Sequence, residues 1–159
     1  MLRRKVTAIV AWSSELPLLP FTVVMALGSL LARILLIPIL LLTGTEPSAS
    51  VGAMEVSPWL ALVVGPAVET LLFQALPIRL ASALRAPIWL QLVVSTTLFG
   101  LAHLSGGVAS VAVAVSGGLA FAWAFIKWSQ ASITKGLLAT VLTHCWVNAA
   151  VYLLIQVLQ

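Results

Sequence analysis

Apolar residues run along the chain in five long blocks, parted by short polar stretches. The first block spans about Leu16 to Leu42 and carries Arg33 and Pro38 within it. A loop of small and polar residues, TGTEPSASVGAMEVS, fills positions 43–57. The second block runs from about Pro58 to Ile78, and Pro87 opens a third that ends near His103. Ser105-Gly106-Gly107 predicts a tight turn into a fourth block, about Val108 to Ile126. The fifth occupies about Gly136 to Leu158. Each block has about the 20 residues that a helix needs to cross ~30 Å of hydrocarbon. The pattern predicts an all-α polytopic transmembrane bundle of about five spans, with no internal repeat. Residues 1–57 form an N-terminal span and polar loop, and 58–159 a four-span core, together one compact membrane domain.

Composition agrees with the pattern. The 159 residues are 62% hydrophobic and 8% charged, whereas a soluble domain carries about 25% charged residues. The bilayer is therefore the first partner of this chain, in a multi-pass protein of a prokaryotic-type cell membrane. A net charge of +4 does not signal nucleic acid, because the basic residues are scattered and form no patch. Their placement sets topology instead. Arg3, Arg4 and Lys5 precede the first span, Arg79 and Arg85 lie between the second and third, and Lys127 and Lys135 between the fourth and fifth. The alternate loops hold no Lys or Arg, which predicts a cytoplasmic N-terminus. The start MLRRKVTAIVAW resembles a signal peptide, yet its short apolar run meets Ser13, Ser14 and Glu15 with no small-x-small site, so it reads as uncleaved. Tryptophans such as Trp59, Trp89, Trp123 and Trp128 sit near span ends as interfacial anchors, with Trp146 deeper. Ala112, Ser116, Ala120 and Ala124 form a small-residue stripe suited to close helix packing.

Against this background a few polar residues stand out. Glu69 lies near the middle of the second block, and a charge there costs at least ~2.5–3.5 kcal/mol, so it usually faces a polar interior. Phe99 and His103 are four apart, as are His144 and Asn148, so each pair shares one helical face. These are the only two histidines of the chain. Glutamate with histidine can hold and deprotonate a water. Histidine with asparagine can donate hydrogen bonds to a developing oxyanion. Taken singly, each residue is as well explained by structural hydrogen bonding between helices.

The set resembles the CAAX protease and bacteriocin-processing (ABI) family of intramembrane glutamate endopeptidases. That family carries Glu-Glu-x-x-x-Arg, Phe-x-x-x-His and His-x-x-x-Asn or Asp, each on its own transmembrane helix. Phe99 to His103 fits the second motif and His144 to Asn148 the third, over about residues 58–155. The first motif departs: ETLLFQ keeps Glu69 but has Thr70 for the second acid and Gln74 for the arginine. Positions 70 and 74 are i and i+4, neighbours on an α-helix, and two neutral groups there are expected to hydrogen-bond each other. The resemblance implies metal-free hydrolysis of a peptide or protein substrate at the membrane. Glu69 and His103 would activate water, His144 and Asn148 would hold the oxyanion, and Thr70, Gln74 and Phe99 would support them.

Other readings remain open at this point. One Glu and two His can bind zinc, although Asn148 is a poor ligand. Loss of the acid and arginine also fits a catalytically degenerate adaptor or self-immunity protein of the same fold. A proton-coupled transporter is a third option, weakened by the lack of an inverted repeat. Cys145 lies about 100° around the helix from His144 and is read as neither ligand nor nucleophile. Arg33 has no partner that the sequence identifies. Counted along ideal helices from the cytoplasmic ends, Glu69 and His144 lie about 15 and 12 Å deep but His103 about 24 Å. Convergence thus requires something unusual of the third span.

Overall fold

The computed structural model describes residues 16–42, 44 and 57–158, which form five helices. The N-terminal basic segment and most of the 43–57 loop lie outside the described residues. Helix α1 is Leu18–Leu42, α2 is Leu60–Ala83, α3 is Ile88–Ala102, α4 is Gly107–Ser129 and α5 is Ile133–Leu158. The protein is an integral, multi-pass membrane bundle: α1, α2, α5 and α4 (with its leading turn) are long and apolar enough to cross a bilayer. Helix α4 is the hub, packed on α1, α3 and α5. It is also the most enclosed of the spans, and α1 is the least.

The helices differ from expectation in length, most consequentially α2 and α3. Helix α2 runs on past Ile78 to Ala83, so Arg79 sits within it and only Arg85 marks the turn. There Ala86 N–H reaches back to the Ala81 carbonyl, and Arg85 adopts the left-handed backbone (φ 58°) usual after a helix end. Helix α3, by contrast, has 15 residues. It rises only ~22 Å, short of the ~30 Å hydrocarbon core. A single turn, Leu104–Gly106, then leads into Gly107, whose φ of 82° only glycine adopts freely. The longer α2 eases the depth conflict: counted from its Ala83 end Glu69 lies ~21 Å along the helix, close to the ~22 Å of His103 at the end of α3. Helix α4 ends a few residues after its apolar block and α5 begins a few residues before its own, so Lys127 and Lys135 lie within helices. Arg33 and Pro38 do not interrupt α1.

Helix α2 is not a uniform α-helix. Leu60–Val64 and Thr70–Ala75 are wound as π-helix, each just ahead of a proline, Pro66 or Pro77. Proline lacks the N–H that would satisfy a carbonyl one turn earlier and clashes with that carbonyl, so the widened turns make room. In the first, Gly65 N–H bonds the Leu60 carbonyl, and the next donor in that register, Pro66, has no hydrogen to offer Ala61. The Ala61 carbonyl instead accepts from Asn148 Nδ2 of α5 at 3.0 Å. In the second, the Phe73 carbonyl, inside the π segment that precedes Pro77, accepts from the Ser95 hydroxyl of α3 at 2.7 Å. Both neighbours of α2 are thus fastened at carbonyls of its two π segments.

The α3–α4 seam is set by glycine. A Cβ on Gly118 would lie 3.0 Å from the Phe99 ring, and one on Gly100 would lie 2.7 Å from Val115. In the Ala/Ser stripe read from the sequence, Ala120 and Ala124 are buried, but the tightest approaches fall on the glycines. Ser95 is fully buried, so Ser95→Ala leaves the Phe73 carbonyl without its partner. The expected loss is about 0.5–2 kcal/mol in a detergent unfolding titration. An unchanged midpoint would show that the Ser95 bond does not hold α3 to α2.

Candidate active site

Three of the five helices bring the predicted residues together. Glu69 ends the α-helical turn Gly65–Glu69 between the two π segments of α2, and its side chain is about one-third exposed (35%). Its carboxylate Oε2 lies 3.6 Å from His144 Nε2 of α5, the ion-pair contact it makes among the described residues. That distance is close but longer than a hydrogen bond. His103, the expected first partner, is coupled to Glu69 electrostatically without direct contact. Its Nδ1 faces the Phe99 carbonyl at 2.8 Å, one turn earlier on α3. The residue beside the carboxylate is therefore His144 rather than His103. The reason is local: His103 caps α3, where its ring folds back on its own last turn.

Aromatic rings fix both imidazoles. Phe99 is buried, with its centroid 4.7 Å from His103 and 5.7 Å from His144, edge-on to the latter. Phe121 of α4 stacks on His144 at 4.1 Å, with 24° between planes. Phe73 and Phe121 both meet Phe99 edge to face. Such packing holds a ring in one orientation without using its nitrogens. His144 is nearly fully buried, and its Nδ1 has no hydrogen-bond partner. Asn148 extends from the same face of α5 one turn on. One amide N–H goes to the Ala61 carbonyl, which leaves its second N–H and its oxygen.

The expected pairing of Thr70 with Gln74 is not found. Both are fully buried, yet the Thr70 hydroxyl and both polar atoms of the Gln74 amide lack hydrogen-bond partners. Thr70–Ala75 is the second π segment, where the turn closes at i+5 and i+4 residues are displaced from the α-helical alignment. Phe121 and the prolines of α2 were not singled out by the sequence reading. Phe121 carries no distinguishing signal, whereas two prolines inside an apolar span mark released carbonyls. Cys145 is a half-buried free thiol. Among the described residues no group of three or more His, Cys, Asp or Glu is disposed to hold a metal. A separate cleft of about 230 Å³, lined by residues including Arg79, Ser82, Gln91 and Ser129, contains none of the candidate residues.

The described residues thus form a multi-pass helical bundle with one carboxylate and two imidazoles among its apolar spans. The type II CAAX prenyl endopeptidase Rce1-like family model matches residues 54–150, more than half of the chain, and the protein belongs to that family. The match takes in α2, α3, α4 and most of α5, and leaves α1 outside. No curated protein and no solved structure matches the chain. Membership makes this a membrane protease family protein.

Phe99 is the keystone of the ring cluster. Phe99→Ala opens a cavity between α2, α3, α4 and α5, with an expected cost of about 3–5 kcal/mol. Thermal unfolding in detergent reads it. Loss under about 1 kcal/mol would mean that the rings do not pack as described.

Proposed function

We propose that the protein is an intramembrane endopeptidase that cleaves near prenylated C-a-a-X protein C-termini without a bound metal, with Glu69 as general base. The family's own substrate class suggests the prenylated terminus. The observation that carries the assignment is the 3.6 Å approach of Glu69 and His144 from separate spans. Within a low-dielectric bundle, a carboxylate beside imidazoles is suited to take a proton from water. The water oxygen then bonds to the scissile carbonyl carbon, and the tetrahedral intermediate collapses by breaking the C–N bond as the abstracted proton passes to the leaving amine nitrogen. Glu69 and His103 hold the water. His144 and the second N–H of Asn148 face the developing oxyanion, whose charge such donors stabilise strongly away from bulk water. The Ala61 carbonyl orients Asn148 for that task.

Glu69→Gln retains size and hydrogen bonding but removes the base. Cleavage of a farnesylated C-a-a-X peptide in liposomes should fall at least ~100-fold while the unfolding midpoint holds. Cleavage that survives this change overturns the base assignment. Chelator should leave the wild-type rate unaltered, and a rate that collapses and returns with zinc would establish a metal instead.

One observation favours a second reading, a catalytically degenerate adaptor or self-immunity protein. The unpaired polar atoms of Thr70 and Gln74 make an imperfect replacement for a buried acid–arginine pair. If the wild type is inert on prenylated peptides and the double change Thr70→Glu with Gln74→Arg cleaves them, the degenerate reading is correct.

A further inference from the structure

Arg33 is the only charged residue of α1, the span least enclosed by protein. A cation at mid-span is costly in lipid, and such residues turn toward a polar interior. Arg33 does so. Thr22, Ala26, Ser29 and Arg33 recur at helical spacing, and the first three are buried against the bundle. The guanidinium rests on the backbone of Gly117, with Nη2 2.7 Å from where a Cβ would stand. One turn further along α4 lies Phe121, the ring stacked on His144, and the charge of Arg33 acts on His144 electrostatically. Arg33 is therefore one turn of α4 from the ring that covers His144.

Its charge is not neutralised from within the described residues. Glu69, their only carboxylate, has its ion-pair contact with His144 rather than with Arg33, and Arg33 Nε is buried with no hydrogen-bond partner. A half-buried guanidinium without a counter-charge is costly among apolar spans. Its planar fork of donors matches a carboxylate in two parallel hydrogen bonds. Depth selects the source of that anion. Arg33 lies nine residues from the end of α1 at Leu42, or about 13 Å along the helix. Lipid phosphates stay at the interface outside the hydrocarbon, so the anion has to arrive on a chain that enters the bundle. A peptide whose scissile carbonyl sits between Glu69 and His144 places a terminal carboxylate three residues on within ~10 Å.

We propose that Arg33 binds the free C-terminal carboxylate of the peptide presented to Glu69, with Gly117 as the slot that admits its guanidinium. It rests on the peptidase reading of the same site. Arg33 is then a specificity-determining residue contributed by a helix outside the family match. It recognises chain termini rather than interior segments.

The test compares a farnesylated C-a-a-X peptide having a free C-terminus with its C-terminal amide. On the wild type, amidation should raise KM about 10–100-fold with kcat changed little, as for loss of a charge-assisted hydrogen-bonded pair. Arg33→Gln should bring the free acid to the level of the amide, and Arg33→Lys should restore part of the difference. Gly117→Ala, which crowds the guanidinium out of its slot, should weaken discrimination while Arg33 remains. Equal KM values for acid and amide on the wild type overturn the proposal, as does discrimination that persists in Arg33→Gln. Binding of the same two peptides to the purified protein, by fluorescence anisotropy, separates this from the peptidase reading. If nothing is cleaved but the acid still binds at least 10-fold tighter in an Arg33-dependent way, the peptidase reading fails and the carboxylate site stands. Equal binding, or none, removes the carboxylate site whatever the cleavage result.

Discussion

In lipid no water is at hand for a backbone carbonyl that has lost its partner, so every broken bond in a span has to be met by protein. Helix α2 breaks two, at Pro66 and Pro77, and the remaining helices are placed by how those breaks are answered. Asn148 answers the carbonyl left by Pro66, and Ser95 bonds the Phe73 carbonyl in the π segment ahead of Pro77. These two contacts draw α3 and α5 against the same stretch of α2, the stretch that holds Glu69 between its π segments. The histidines come with the helices. The π segments thus act as fixed docking points whose satisfaction sets which faces of α3 and α5 look at the carboxylate.

Steric room does the rest. Gly118 lets Phe99 lie against α4, and Phe99 touches both imidazoles while Phe121 covers one of them. The imidazoles are held mainly by rings, so their nitrogens are spent sparingly: His103 uses one on its own helix, and His144 directs one at Glu69. An interior held by apolar packing keeps polar atoms uncommitted in a way that a hydrogen-bonded interior does not. The same economy leaves Thr70 and Gln74 unpaired, which a water-soluble core would tolerate poorly.

Much of this was legible in the chain. Block lengths gave the helix count, and the four-residue spacings of Phe99–His103 and His144–Asn148 placed each pair on one face, where the structure keeps them. The order of contacts was not legible. Sequence spacing reports which residues share a helix face but not which faces meet, so His144 rather than His103 stands nearest Glu69. Nor did spacing foresee the π winding of ETLLFQ: it assumes α-helical period throughout, and Pro77 alters that period locally. Arg33 was visible as an expense in lipid, and the structure sets it against Gly117 of α4 with no counter-charge among the described residues.

The short α3 has a consequence for the membrane itself. Ile88, Trp89, Val93, Leu98 and Leu101 are exposed on it and face acyl chains, yet the helix spans only ~22 Å. A bilayer meeting an apolar surface shorter than its own core thins to match, at a fraction of a kcal/mol for each Å. The lipid dimple falls beside His103, where α3 ends. Thinning at that point would shorten the path from bulk water to a bond held among the apolar spans.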